Sequence, residues 1–426
     1  MSLTERARAL LWEFKGDRYV HGSGVLPGVG ALVAPHGSRA ALVRDPFAGS
    51  EEPLDALRRS LADAGVSIVV ETDGARPNAP REDLARITAA LRGVTFDVAV
   101  SFGGGSTIDA AKAALALVSL DDGARGVDAI DPFFGTGLVT AALAGRALTP
   151  HIAIQSAASS ASHLSKYSNI TDVARAQKKL IVDEALTPTR PVFDHTVTYS
   201  APAALTADGA LDGIASGLEV FLGAIGRPHY AAMAEVAPVG IGLVLEHLPK
   251  ALAAPRDAVS REALALATDL GGYAIMLGGT NGPHLNSFSM VDVMSHGRAC
   301  ALLGPYYTVF YAPAVDEPLR ILADVYRAAG LLGPESDRLR GRDLGIAVAQ
   351  AMIAFLAASG LPTRLCDVPG ITCGHIDRML AAAKDPQLRM KLENMPVPLT
   401  ADLVDAYMGP VLAAAWEGDL SLIRNL

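Results

Sequence analysis

Aromatic side chains are scarce in this chain, at 5 % of 426 residues with only two tryptophans. Half of all residues are nevertheless apolar, so alanine and aliphatic side chains must do most of the packing, and closely packed helices are expected. Cysteine is scarcer still. Cys300, Cys366 and Cys373 are an odd number without zinc-ribbon spacing, which speaks against a disulfide framework and suits reduced thiols in a cytoplasm. Positive charge is in deficit, 36 Lys and Arg against 45 Asp and Glu, for a formal net charge of −9. With the basic residues dispersed, neither nucleic acid nor an anionic membrane surface is expected as the principal partner. The first fifteen residues carry Glu5 and Glu13 and no apolar signal core, so no secretion is expected. The longest apolar stretch, Leu344 to Leu361, contains Gln350 and ends at Gly360-Leu361-Pro362. It reads as a buried helix with a glycine stop rather than a membrane span. The expectation is a soluble cytoplasmic enzyme for a small-molecule substrate, long enough for two domains and a homo-oligomer of two or more copies.

The most informative stretch present is Ser101-Phe102-Gly103-Gly104-Gly105-Ser106-Thr107-Ile108-Asp109-Ala110-Ala111-Lys112. Apolar Phe96 to Val100 reads as a buried strand and Ile108 to Leu117 as an alanine-rich helix, which puts three glycines at the junction. Glycine lets backbone N–H groups approach a pyrophosphate without a Cβ in the way, and the helix N-terminus favours the anion. Alone, such a turn also serves geometry only. Its spacing, Gly-Gly-Gly-Ser-x-x-Asp-x-x-Lys, resembles the cofactor loop of the iron-containing (group III) alcohol dehydrogenase superfamily, which also holds glycerol dehydrogenase and dehydroquinate synthase. Carried over, the match makes Gly103, Gly104, Gly105, Ser106 and Asp109 cofactor-binding residues.

Short apolar runs alternate with helical patterns in the first half. Ala40 to Arg44, Val66 to Glu71, Val98 to Phe102 and Ile152 to Gln155 are expected strands, with helices over Pro53 to Ala64 and Arg81 to Arg92. Beyond Thr189 the texture becomes helical: Ala203 to Leu222, Ala231 to Ala254, Arg261 to Gly278, Ala314 to Leu332, Arg342 to Ser359 and Thr400 to Ala415. Pro188, Pro191 and Asp194 punctuate the change. The resemblance implies a Rossmann-like α/β dinucleotide-binding domain over 1–190 and an all-α metal- and substrate-binding domain over 191–426, the dehydroquinate synthase-like fold.

Asp45, at the end of the first of these strands, is placed to accept hydrogen bonds from an adenosine ribose, and otherwise is a solvated strand-end carboxylate. In the family an acid here goes with NAD, while Arg44 beside it keeps NADP possible. Ile154 to Ser162 resembles the family's Pro-Thr-Thr-Ala-Gly-Thr-Gly-Ser-Glu loop along the cofactor, which implicates Ser156 and Ser160; Gln155 and His163 depart from it. His163 is either a proton relay or a structural histidine. Lys178 and Lys179 either bind an anionic substrate group or form a solvated pair.

The stretch Ala210-Leu211-Asp212-Gly213-Ile214-Ala215-Ser216-Gly217-Leu218-Glu219 resembles the family's Gly-Met-Asp-Ala-Leu-x-His-Ala-x-Glu helix, whose Asp and His bind one metal. Asp212 matches; Ser216 does not, and a neutral hydroxyl is a poor substitute for imidazole. The resemblance is then to the three-ligand version of the site, one carboxylate with His284 and His296. On one straight helix, twelve residues would hold those histidines about 18 Å apart, so the chain must turn between them. His296-Gly297-Arg298-Ala299-Cys300-Ala301 resembles the family's His-Gly-x-x-Asn-Ala. His284 answers either to a ligand or to a substrate-facing histidine, and Asp292 to a carboxylate that orients an imidazole. The resemblance implies an NAD(P)-linked oxidoreductase that interconverts an alcohol with an aldehyde or ketone, with NAD and Fe(II) or Zn(II) as cofactors and His284 and His296 as catalytic residues. The alternatives are a dehydroquinate synthase-like lyase or cyclase and a non-catalytic relative.

Overall fold

The computed structural model describes residues 1–120 and 123–426. The chain divides into two units, one of Leu11–Leu205 with Ala254–Ala265, the other of Met1–Leu10, Thr206–Ala253 and Leu266–Leu426. After α1 (Leu3–Lys15) the α/β unit runs β1 (Val20–Gly22), α2 (Val29–Val33), β2 (Arg39–Arg44), α3 (Glu51–Asp63), β3 (Ser67–Asp73), α4 (Arg81–Arg92), β4 (Val98–Gly103) and α5 (Gly105–Leu120). It continues with β5 (Gly135–Thr136), α6 (Leu138–Leu143), β6 (His151–Gln155), β7 (Tyr167–Asp172), β8 (Gln177–Val182) and β9 (Arg190–Asp194). All four expected strands and both expected helices are present.

Six strands form a parallel sheet in the order β1-β9-β6-β4-β2-β3. Such a sheet needs apolar residues on both faces. In β2 and β4, Ala40, Leu42, Val98 and Val100 pack with Leu54, Leu57 and Leu61 of α3, while Ala41, Val43 and Ala99 join Leu84, Ile87 and Leu91 of α4 and the alanines of α5. The chain goes outward from β2 to β3 and returns across β2 to β4, so the winding reverses there. The carboxyl ends of strands at such a reversal are where open α/β sheets leave room for ligands. Here those ends carry Asp45 and the glycine turn.

The boundary expected at 190 falls on the first residue of β9, a strand inside the sheet. Pro191 lies opposite Ala153 of β6, and β1 begins only opposite Val192, so the missing proline N–H deprives no second strand. Also absent from the expectation is a small sheet ordered β5-β8-β7, in which β7 and β8 pair antiparallel.

On α5, Lys112 is 1 % exposed. Its ammonium donates to the carbonyls of Ser162 (2.5 Å), Ser165 (2.8 Å) and Tyr167 (2.9 Å). Burial lowers its pKa to about 8, against the attraction of Asp109. Asp109 accepts from the Ser162 hydroxyl and from the Asn169 N–H (2.9 Å). One turn of helix therefore clamps the backbone of residues 162–169.

The helical unit holds α7 (Ala203–Gly223) from Thr206 on, α8 (Tyr230–Ala253), α9 (Ala258–Leu277) from Leu266 on, α10 (Gly282–Ser287), α11 (His296–Tyr311), α12 (Asp316–Ala328), α13 (Gly341–Ala358), α14 (Cys373–Ala383), α15 (Arg389–Glu393) and α16 (Val404–Glu417). By length and composition, α8 and α13 are apolar enough to cross a membrane. In the fold α13 packs along α11 and α12 and is half-buried, where a buried helix is expected for the 344–361 stretch.

Candidate functional site

Two groups of residues carry chemistry, one in each unit. In the α/β unit, Gly103 to Ser106 pass from β4 into α5. Asp45 accepts a hydrogen bond from the Gly104 N–H (2.9 Å) and another from the Thr107 hydroxyl. The Ser156 N–H donates to the Gly103 carbonyl (2.9 Å). Burial raises the pKa of Asp45, opposed by its two hydrogen bonds. The three glycines serve different ends. A Cβ on Gly103 would stand 2.6 Å from an Asp45 oxygen, and one on Gly105 would stand 2.1 Å from the Ser160 hydroxyl oxygen. On Gly104 the nearest atom would be 3.9 Å away. The protein's own packing therefore demands glycine at 103, and at 105 a Cβ would push the Ser160 hydroxyl aside, whereas at 104 a Cβ would occupy open space beside a helix N-terminus. That is the space a pyrophosphate needs.

Of the expected cofactor residues, Asp45, Gly103 to Ser106, Ser156 and Ser160 come together at this turn. Asp109 instead faces inward, its oxygens given to Ser162 and Asn169. His163 is fully buried, 3.3 Å from the Tyr19 hydroxyl and edge-on to Phe193. Burial, reinforced by Lys112, holds its pKa well below the usual imidazole range, the condition of a structural histidine. Lys179 lies 3.9 Å from Asp131 and over the Phe134 ring.

In the helical unit, Asp212, Ser216 and Glu219 fall at i, i+4 and i+7 on one face of α7. The chain turns between His284 and His296, as their separation in sequence requires: α10 ends at Ser287 and α11 begins at His296. The rings come to 5.0 Å between centroids. Asp212 Oδ1 lies 3.5 Å from His284 Nε2 and 3.8 Å from His296 Nε2. For bonds of about 2.1 Å, neighbouring donors on a tetrahedral ion are about 3.4 Å apart, so the three side chains fit a divalent cation.

The surroundings aim these donors. Glu219, 1 % exposed, accepts from His284 Nδ1 (2.6 Å) and from the Asn281 N–H (2.7 Å). The bond to Nδ1 fixes the imidazole tautomer and leaves Nε2 toward Asp212. Burial opposes charge on His284, yet Cys300, Glu219 and Asp212 outweigh it and raise its pKa well above the usual range. Ser287 Oγ sits 2.9 Å from His296 Nδ1. Gly297 allows the start of α11 to meet α7, because a Cβ there would lie 2.0 Å from the Asp208 carbonyl oxygen. Asp292 follows the end of α10 in a turn, pairs with Arg378 (2.7 Å) and lies 3.5 Å from His375 Nε2, so the imidazole it stands beside is that of His375, while Glu219 and Ser287 are the partners of His284 and His296.

Two family models match, iron-containing alcohol dehydrogenase over residues 16–195 and the C-terminal domain of the same family over 206–407. The chain belongs to the iron-containing alcohol dehydrogenase family. It is accordingly an oxidoreductase of the alcohol dehydrogenase type. NAD-dependent methanol dehydrogenase of Bacillus methanolicus is 28 % identical over 339 residues, 79 % of this chain and 83 % of the relative. 1,3-Propanediol dehydrogenase of Citrobacter freundii is 25 % identical over 336 residues, 78 % and 81 % of the two chains. Among solved structures, an alcohol dehydrogenase from Oenococcus oeni shares the fold with a TM-score of 0.78 at 23 % identity, over 93 % of this chain and 98 % of that one.

Against this family pattern, three features escaped the sequence reading. Glu219 lies within the quoted helix motif, but its bond to His284 depends on how α7 meets α10. Cys300 follows His296 by one turn, and its sulfur belongs to the cluster with Asp212, His284 and His296. Lys391 on α15 is 3 % exposed, donates to the Thr280 hydroxyl and stands over the Phe288 ring. Its pKa falls to about 8 through burial, opposed by Glu219, Cys300 and Asp212. Glu219→Gln is expected to weaken metal affinity about tenfold and Glu219→Ala about a hundredfold, because the histidine loses its orienting carboxylate. Competition with a chromogenic chelator measures both.

Proposed function

We propose that this enzyme interconverts a small alcohol with its aldehyde or ketone, using NAD in preference to NADP and a divalent cation held by Asp212, His284 and His296. The observation that carries the reading is the approach of both imidazole Nε2 atoms to one Asp212 oxygen, at 3.5 and 3.8 Å. Fe(II) or Zn(II) held by these three side chains would supply Lewis acidity to an alcohol oxygen, and NAD would supply the hydride acceptor. Asp212 contributes negative charge, while Glu219 and Ser287 hold the two rings in place. The Gly104 region and the first turn of α5 receive the pyrophosphate, with Ser156 and Ser160 beside them. Asp109 instead anchors Ser162 and Asn169 against α5. NAD-dependent methanol dehydrogenase, by its name, supports the choice of dinucleotide.

Preference for NAD follows from charge at the end of β2. Asp45 is there to repel a 2′-phosphate, and Arg44 does not offset it. The Arg44 guanidinium is engaged by Glu71 (3.0 Å) and Asp73 (2.6 Å). Asp45→Gly is expected to lower the NAD to NADP ratio of kcat/KM at least about tenfold, and an unchanged ratio would remove Asp45 from cofactor choice.

The deciding experiment combines metal analysis of the purified chain with an NAD-linked screen of alcohols, diols and aldehydes. Stoichiometric metal and net NADH formation from an alcohol are expected. Turnover without net NADH would replace this reading with lyase or cyclase chemistry.

A further inference from the structure

Cys300 is fully buried and lies one helical turn after His296, so both side chains leave the same face of α11. Its sulfur is 3.9 Å from His296 Nδ1 and 4.0 Å from His296 Nε2. Asp212, His284, His296 and Cys300 each offer one ligand atom, and these four atoms all lie within 4.8 Å of one another. A tetrahedral ion with a sulfur bond of about 2.3 Å and nitrogen bonds of about 2.05 Å separates those donors by about 3.6 Å. The sulfur is equally far from both ring nitrogens of His296, beside the imidazole, so a rotation of the Cys300 side chain within this cluster is what would carry it to the place of a fourth ligand. Ser216, on the face of α7 that carries Asp212, brings only a neutral hydroxyl, a poor donor beside imidazole.

We propose that Cys300 supplies a thiolate as the fourth protein ligand of the cation. The proposal rests on the metal reading above and changes its character. When the cation binds, the S–H bond breaks, its proton leaves to solvent and a metal–sulfur bond forms. One carboxylate and one thiolate then balance the charge of a dication, and the donor set suits zinc better than a site of oxygen and nitrogen alone. The other two thiols are excluded by position: Cys366 and Cys373 are exposed.

Cobalt(II) tests the assignment spectroscopically, without reference to turnover. The full-length chain, stripped by chelation and kept reduced and anaerobic, is titrated with Co(II). Wild type should show visible d–d bands together with a near-ultraviolet thiolate-to-cobalt charge-transfer band. Cys300→Ser should keep the d–d bands, lose the charge-transfer band and bind Co(II) at least tenfold more weakly. The Cys366→Ser, Cys373→Ser double variant should retain the band. Wild-type d–d bands without charge transfer would overturn the thiolate assignment and leave the three-ligand site standing, whatever the folding of the variant. A charge-transfer band that survives in Cys300→Ser would also overturn it. Failure of wild type to bind Co(II) at all would remove both the thiolate and the metal reading beneath it.

Discussion

Replacing His296 by alanine is expected to lower kcat/KM for alcohol oxidation at least about a thousandfold while NAD affinity stays within about twofold. Lewis-acid stabilisation of charge developing on the alcohol oxygen is worth several kcal/mol, and about 4 kcal/mol corresponds to that factor in rate. Among the described residues His284 and His296 are the imidazoles placed against Asp212, so removal of His296 leaves a carboxylate and one imidazole, with the Cys300 thiol beside them. The fold should tolerate the change. His296 is the first residue of α11 and its side chain keeps 22 % of its exposure, and alanine is a good helix former. Metal content, thermal melting and NAD titration separate the possibilities. Loss of activity with intact melting and NAD binding supports the assignment, and unchanged turnover would take this histidine out of the mechanism.

The second large effect belongs to the glycine turn. Gly104→Val is expected to weaken NAD binding at least about a hundredfold, equivalent to about 2.7 kcal/mol, at a cost in stability of only about 1 kcal/mol. The asymmetry comes from what surrounds each glycine. A Cβ at 104 meets nothing nearer than 3.9 Å, so the empty protein leaves room for one there. A bound pyrophosphate would not. At Gly105 the reverse holds, since a Cβ there would press to 2.1 Å on Ser160 and disturb the empty turn itself. Dinucleotide titration of Gly104→Val beside its melting curve checks the claim. Retained affinity would mean that the open space at 104 is not the phosphate site.

Much of this architecture is written in local sequence patterns. Apolar runs at 40–44 and 98–102 specify strands buried on both faces, and α4 spans the expected Arg81–Arg92. The reading failed where tertiary pairing overrides local signals. Pro191 reads as punctuation, yet it fits within β9 because β1 has not yet begun beside it. The β7–β8 hairpin is rich in Ser, Asn, Thr, Gln and Lys and shows little apolar alternation, so it resembles a loop. The site divides the same way. Asp212 and His296 are recognisable from motifs, and the need for a turn before His296 follows from helix geometry alone. Cys300 and Glu219 gain their meaning only once α7, α10 and α11 meet. Asp109 matches a motif, but the partners that turn it inward are more than fifty residues away in sequence.

The double use of Asp45 bears on any attempt to redesign this enzyme for the phosphorylated dinucleotide. Its carboxylate would discriminate between the cofactors from outside the turn and at the same time fastens that turn through Gly104 and Thr107. Removing the acid to admit NADP would release the fastening as well, leaving the buried Thr107 hydroxyl only its bonds with the Ala75 backbone. A successful redesign has to change selectivity and restore the latch together, so single substitutions at this position should yield relaxed but slower catalysts.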